Sequence, residues 1–279
     1  MTLLQPFIEF SFMRRALVAC AALALSATPL GVFLSLRRMS LIGDALSHAV
    51  LPGAAIGYLI SGLSLVAMGI GGLIAGLAVA LLSGAVSRYT PLKEDASFAG
   101  FYLGSLALGV TLVSMRGSSV DLLHVLFGSL LAVDNPAMLL VGAIAAFTLL
   151  MLAVIYRPLV IDAFDPDFLR AQGKWSAPVV HGIFLTLVVL NLVAGFQVLG
   201  TLMSVGLMML PAASARFWSR HLASMIFIAM LLAVCAAFTG LLASWHFSLA
   251  AGPAVVLSAA LLFLISVLTG PCGGLLRRH

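Results

Sequence analysis

The chain is a succession of apolar runs, most of them about 20 residues long, separated by short polar segments. A run of that length crosses about 30 Å of hydrocarbon as an α-helix. Only 8% of the residues are charged, whereas soluble domains carry about a quarter, so the composition excludes a soluble domain. The low polarity excludes a disordered chain as well. The sequence therefore predicts an all-α, polytopic membrane protein with little mass outside the bilayer.

The apolar runs predict about nine transmembrane helices in a single membrane domain, residues 1–279. The predicted spans begin near Ala16, Leu41, Ser64, Ser97, Ala137, Val179, Val198, Leu222 and Ala250. The first run resembles a secretory signal, but it continues to Leu36 and is too long for one, so we expect it to remain as a span. The short apolar stretch 120–131 is predicted to be a re-entrant or surface helix. If it spans, the N-terminus changes sides.

Basic residues at the ends of the runs orient the chain across the membrane. With the C-terminus in the cytoplasm, eleven of the 14 basic residues face inside and three face outside, as the positive-inside rule requires. The inside set is Arg37, Arg38, Arg88, Lys93, Arg157, Arg170, Lys174, Arg216, Arg220, Arg277 and Arg278, and the outside set is Arg14, Arg15 and Arg116. Scattered in this way, the net charge of +5 does not indicate a nucleic-acid partner.

Asp44 is the one acidic residue that the pattern places well inside a span. An ionisable group there costs several kcal/mol and therefore indicates a functional site. His48 follows at i+4, on the same helix face, and a carboxylate with an imidazole suits Zn²⁺, Mn²⁺ or Fe²⁺. Pro52 has no N–H for the carbonyl of His48, so we expect a helix break beside the pair. The alternative is that the two side chains bond each other and only fix helix packing.

Two side chains do not complete the shell of a transition metal, so the site needs further ligands. Weak candidates are Ser204 and His181, together with Ser47, Asn191 and Gln197. Asp121 and His124, at i,i+3 on the predicted outer side, are candidates for an outer access site, with a surface pair as the alternative.

A second proline motif, residues 210–213 with Pro211, echoes residues 51–54 with Pro52. Proline lacks the backbone N–H that a helix interior needs, so the motif predicts a second broken helix. Paired interrupted helices are typical of the central site of a transporter.

The longest polar connection, residues 157–178, is predicted to be cytoplasmic and to contain a short capped helix. Asp165 suits the N-cap, Pro166 the first helical position, and Gly173 the C-terminal left-handed position. A helix so fully specified predicts a docking element for a cytoplasmic partner, and the alternative is a well-capped surface loop. The candidate docking residues are Asp165, Pro166, Asp167, Phe168, Leu169 and Gly173.

No G-x-x-x-x-G-K-[ST] motif occurs, and Lys93 and Lys174 are the only lysines. The chain therefore lacks the loop that cradles nucleotide phosphates in P-loop ATPases. We expect it not to be an enzyme, and we expect any ATP hydrolysis to occur in a separate partner subunit.

Four stretches carry a resemblance to a known family: residues 38–53, with Gly43, Asp44 and His48; residues 120–131; residues 200–216, with Pro211; and residues 251–253. In this order they resemble the permease subunits of bacterial zinc/manganese/iron-uptake ABC transporters, over nearly the whole chain. The first stretch is highly specific, and each of the others is modest.

The resemblance implies a type II ABC importer-like permease in the bacterial inner membrane, present as a homodimer. It implies a cytoplasmic ABC ATPase dimer and an extracytoplasmic metal-binding protein as partners. It also implies that Asp44 and His48 contact the transported Zn²⁺ or Mn²⁺, and that residues 165–173 form the coupling helix seated on the ATPase. No resident cofactor is implied.

These observations predict a permease that moves a divalent transition metal into the cytoplasm by alternating access. Two alternatives stay open. One is an ion-coupled secondary transporter that uses Asp44 and His48 as a proton or cation relay. The other is a non-transport membrane scaffold. The ligand types accept zinc, manganese and ferrous iron alike.

Overall fold

The computed structural model describes residues 5–62, 64–92, 94–114, 134–165, 168 and 177–277 of the chain. Within these ranges every regular element is a helix. The α-helices are α1 (Gln5–Glu9), α2 (Ser11–Leu36), α3 (Ser40–Ala49), α4 (Leu51–Ser61), α5 (Leu65–Tyr89), α6 (Glu94–Ser114), α7 (Asn135–Phe164), α8 (Ala177–Leu199), α9 (Thr201–Ala215), α10 (Leu222–Phe247) and α11 (Ala251–Thr269). A 3₁₀ turn at Leu275–Arg277 follows.

Six of these helices, α2, α5, α7, α8, α10 and α11, are long and apolar enough to cross a membrane. The other three predicted spans correspond to α6 and α9, whose apolar stretches are shorter, and to the pair α3 and α4, which together cover one span. The prediction of an all-helical membrane protein is thereby confirmed, and about nine spans agree with the helices described. The short apolar stretch 120–131 lies outside the described residues.

Contacts along α2 show how the spans alternate in direction. Ser26 and Arg37 of α2 contact Asn191 and His181 of α8, so these two helices run antiparallel. By contrast, α7 and α9 run parallel to α2: Arg15 and Arg37 meet Asn135 and Asp162 of α7, and Thr28 and Val32 meet Leu207 and Ala212 of α9. The ends of α2, α7 and α9 and the start of α8 therefore lie on one face of the bundle, as the predicted topology requires.

The core is centred on α2 and α8, the two spans with the largest buried fractions. Phe33, Phe184 and Leu187 are fully buried there, and Phe33 meets the Phe184 ring edge-to-face. Buried Asn191 is paired: it donates to the hydroxyl of Thr148 and to the carbonyl of Leu187. Polar side chains between helices are satisfied by each other because the surrounding lipid offers no partner.

Several helix pairs approach at glycine with almost no space between their backbones, and two of them show the pattern. A Cβ added at Gly31 of α2 would lie 2.1 Å from the carbonyl oxygen of Met208 in α9. A Cβ at Gly53 of α4 would lie 1.9 Å from the carbonyl oxygen of Gly71 in α5. Small residues at such crossings allow the van der Waals packing that holds membrane helices together.

The prediction that Pro211 breaks its helix is wrong, because α9 runs continuously from Thr201 to Ala215. Pro211 leaves the carbonyl of Leu207 without its helical N–H, and the hydroxyl of Thr28 in α2 donates to that carbonyl at 3.3 Å. A side chain from a neighbouring helix thus compensates the proline. The interruption lies instead at Gly200, between α8 and α9, where φ is +87°, a conformation that favours glycine.

Candidate functional site

The predicted pair Asp44 and His48 lies on α3, one helical turn apart, as the spacing requires. Nε2 of His48 and Oδ1 of Asp44 are 3.8 Å apart. That distance is too long for a hydrogen bond but is within the range of an ion pair when His48 is protonated. One ion bonded to each atom at about 2.1 Å can bridge the same gap.

The helix break predicted beside the pair is present. Helix α3 ends at Ala49, Val50 separates it from α4, and Pro52 occupies the first turn of α4. The carbonyl of Ala49, the last residue of α3, accepts a hydrogen bond from the hydroxyl of Ser105 in α6 at 3.0 Å. The break is therefore held by a neighbouring helix, which is how membrane proteins tolerate irregular backbone inside the bilayer.

Asp44, Ser47 and His48 open onto a cavity of about 330 Å³ between α3, α9 and α11. The lining on the other side is Thr201, Leu202, Val205, Gly206 and Val256. Apart from Thr201, these residues present only apolar side chains or a glycine. The cavity is therefore mostly apolar, and its one strongly polar wall is formed by α3.

The pair lies beside α9. A Cβ at Gly43 would touch Met208, which is halfway along α9. The Asp44 side chain is 65% exposed and that of His48 is 32% exposed, although both line this cavity. Nδ1 of His48 is buried and has no hydrogen-bond partner among the described residues.

Of the weak candidates, Ser47 lines this cavity, whereas Ser204 and His181 do not. Ser204 is buried against α8, where its hydroxyl lies 3.4 Å from the carbonyl of Leu192. His181 lies at the start of α8, where its Nδ1 is 2.8 Å from the guanidinium of Arg37, and it lines a separate cavity of about 230 Å³. Among the described residues, no group of three or more His, Cys, Asp or Glu side chains is placed to hold one ion.

The start of the predicted docking helix has the expected geometry. Oδ1 of Asp165 accepts a hydrogen bond from the N–H of Phe168 at 3.0 Å, which is the N-cap contact. Phe168 itself is 51% exposed. The remaining predicted residues lie outside the part of the chain that the structure describes: Pro166, Asp167, Leu169 and Gly173 of the docking segment, and Asp121 and His124 of the outer access site.

Sequence reasoning missed Val256 and the α9 residues that face Asp44. The Gly200-Thr201-Leu202 motif marked the start of α9 but gave no signal of which side chains line a cavity. Reasoning from sequence also missed Asp162, which pairs with Arg37 at the far end of α2. Both are contacts between distant spans, and residue spacing within one span does not report them.

Comparison with known proteins agrees with this architecture. The profile of the ABC 3 transport family matches residues 9–270. The manganese transport system membrane protein MntC of Halalkalibacterium halodurans is 34% identical over 276 residues, which cover 99% of this chain and 93% of that protein. The chelated iron transport system membrane protein YfeD of Yersinia pestis is 32% identical over 264 residues, 95% of this chain and 87% of that protein.

A solved structure shows the same fold. The chain superposes on one chain of PsaBC from Streptococcus pneumoniae, determined in complex with a Fab, with a TM-score of 0.85 and 34% sequence identity. The match covers 97% of this chain and 96% of that chain. Family profile, relatives and structure agree over nearly the full length, and the sequence motifs quoted above lie within the matched region. The chain is thus a member of the ABC 3 transport family, the permease family that its motifs resemble.

Proposed function

We propose that the chain is the membrane permease of an ABC importer that carries a divalent transition metal ion into the cytoplasm. The observation that carries the proposal is the Asp44–His48 pair within the predicted second span, 3.8 Å apart and open to a cavity between α3, α9 and α11. Manganese and ferrous iron are the favoured ions, because the relatives named above are manganese and iron transport proteins. Zinc is the competing ion, since the ligand types suit it equally.

Asp44 and His48 bind the ion during its passage. The carboxylate supplies negative charge that offsets the loss of the ion's hydration, and the imidazole supplies a nitrogen ligand. Two protein ligands leave coordination positions for water or further groups. A closed four-ligand site is typical of structural zinc, and such a site would not release its ion.

The exposed Asp44 carboxylate supports assembly with a second copy of the chain. A carboxylate facing hydrocarbon would cost several kcal/mol, so the side away from α3 must be covered by protein or water. We propose that two copies face each other across the translocation path, with the Asp44–His48 pair of each copy on that path.

The energy for transport comes from a separate cytoplasmic ABC ATPase. We propose that the segment beginning at the capped residue Asp165 docks on that ATPase, with the exposed Phe168 among its contacts. An extracytoplasmic metal-binding protein delivers the ion on the other side. The chain forms a single permease domain in a bacterial inner membrane, with its C-terminus on the cytoplasmic side.

The test is ATP-dependent uptake of ⁵⁴Mn, ⁵⁵Fe(II) and ⁶⁵Zn into proteoliposomes that hold the permease with its ATPase. Asp44→Asn removes the carboxylate charge and is expected to abolish uptake of the transported metal while the complex remains intact. Asp134→Asn is the matched control, because Asp134 caps α7 at its first turn and asparagine caps as well. For His48→Ala the control is His246→Ala, an exposed histidine at the end of α10.

Each alternative predicts a different experimental result. Metal uptake that continues without the ATPase would favour the ion-coupled secondary transporter. Cellular metal uptake that is unchanged after deletion of the chain would favour the scaffold. Normal uptake by Asp44→Asn at normal abundance would remove the assignment of the site while leaving the transporter class in place.

A further inference from the structure

Three helix ends meet in a buried charged cluster at the face where α2 ends. The guanidinium of Arg37 pairs with the carboxylate of Asp162 at the end of α7 and donates to Nδ1 of His181 in α8. It also lies 5.0 Å from the centre of the Phe184 ring. The Arg37 and Asp162 side chains are each only 8% exposed.

Stability alone does not explain this cluster. Replacing a buried ion pair by apolar side chains of similar size is often neutral or stabilising, because removing two charges from water offsets their attraction. What such a pair does supply is a fixed relative position. Guanidinium nitrogens that bind two partners in different directions hold three helix ends in one arrangement.

The cluster connects two segments that the proposed function places far apart. Asp162 is three residues before Asp165, where the docking segment begins. On the other side, only Arg38 and Met39 separate Arg37 from α3, the helix that carries Asp44 and His48. The contact between Asp162 and Arg37 therefore connects the residues next to the docking segment with those next to the metal-binding helix.

The turn between α2 and α3 is short and is held by a hydrogen bond. Arg38 is held in the left-handed region at φ +60°. The N–H of Met39 donates to the carbonyl of Leu34 at 2.9 Å, and the side chain of Met39 is buried. A turn hydrogen-bonded back onto α2 acts as a short rigid connection, so displacement of Arg37 moves the start of α3 with it.

We propose that the Arg37–Asp162 ion pair, positioned by His181, is the link that transmits movement of the ATPase-docking segment to the metal-binding helix α3. This inference rests on the proposed function. When the docking segment is displaced, Asp162 moves with the end of α7, pulls Arg37, and thereby reorients Asp44 and His48. Arg37 and Asp162 are positioning residues, and neither touches the ion.

The experiment measures metal ions imported per ATP hydrolysed, in proteoliposomes holding the permease with its ATPase. Asp162→Asn and Arg37→Gln are each expected to leave ATP hydrolysis running while lowering that ratio by at least about fivefold, the low end of typical coupling between sites. The double variant is expected to be no worse than either single variant, because both remove the same link. Arg220→Gln, an exposed arginine on the same face, is the control and is expected to match the wild type.

The double variant also guards against misfolding, because it leaves no unpaired buried charge. Wild-type ratios in the single variants would overturn the proposal. So would a parallel fall of hydrolysis and import, or loss of assembly in all three variants, because either would assign the pair to folding. If the wild-type complex imports no metal at all, it is the proposed function that fails, and the two failures are thereby distinguished.

Discussion

Thr28 and Pro211 form a pair whose coupling can be measured. Pro211 deprives the carbonyl of Leu207 of its helical donor, and the Thr28 hydroxyl donates to that carbonyl in its place at 3.3 Å. Thr28 is fully buried. In Thr28→Val the side chain keeps its branched shape but loses the donor, so the buried carbonyl is left without a partner.

The cost of that substitution follows from two magnitudes. A buried acceptor left unsatisfied costs about 1–3 kcal/mol, and side-chain hydrogen bonds measured in membranes average about 0.6 kcal/mol with a maximum of about 1.7. We therefore expect Thr28→Val to lower the free energy of unfolding by about 1–2 kcal/mol. In a Pro211→Ala background, the N–H of the new alanine bonds the Leu207 carbonyl, and the cost is expected to fall below about 0.5 kcal/mol.

The measurement is reversible unfolding of the purified permease by SDS in mixed micelles, followed by circular dichroism, for the wild type, both single variants and the double variant. Thr111→Val is the control, because the Thr111 hydroxyl donates to a carbonyl of its own helix and is exposed. Equal costs of Thr28→Val in the two backgrounds would refute the reasoning, since the Thr28 hydroxyl would then not be compensating the proline.

Three further predictions concern packing, the helix break and the docking segment. Gly31→Ala places a methyl 2.1 Å from the Met208 carbonyl and is expected to destabilise by about 1–3 kcal/mol in the same unfolding assay, whereas Gly142→Ala, which meets nothing within 4 Å, is expected to be neutral. Ser105→Ala removes the donor to the Ala49 carbonyl and should cost about 1 kcal/mol, recovered in Ser105→Thr. Asp165→Ala loses the N-cap, worth about 0.5–2 kcal/mol of helix stability, and should weaken co-purification with the ATPase, whereas Asp165→Asn should retain it.

The spans were predictable from sequence because lipid imposes one rule on the whole chain. The backbone N–H and C=O groups of a single segment inside a bilayer must form hydrogen bonds within that segment, so a long apolar run forms a helix. The pair Asp44 and His48 was predictable for the same reason, since an acid inside a span stands out against an apolar background. The break at Pro52 followed from the missing N–H of proline.

The same rule for proline failed at Pro211, and the cause lies in another part of the chain. Thr28 is 179 residues away along the sequence, and no local pattern reports that it faces Leu207. His181 illustrates the same limit. From the sequence it was a weak candidate for a metal ligand. In the structure it contacts Arg37, 144 residues away along the chain, at the start of α8. Spacing predicts what one helix presents, whereas partners across helices are set by tertiary packing.

The exposure of Asp44 favours the proposed transport site over a structural metal site. A carboxylate that is 65% exposed within a predicted span is stable only if water or protein covers it, and a cavity of about 330 Å³ lies beside it. A structural metal site would bring its remaining ligands from the same chain and close the shell. Here the facing wall of α9 and α11 offers Thr201 and otherwise apolar residues. An ion at Asp44 and His48 therefore keeps part of its shell in water or takes it from another molecule, and an ion held so incompletely is one that can be passed on.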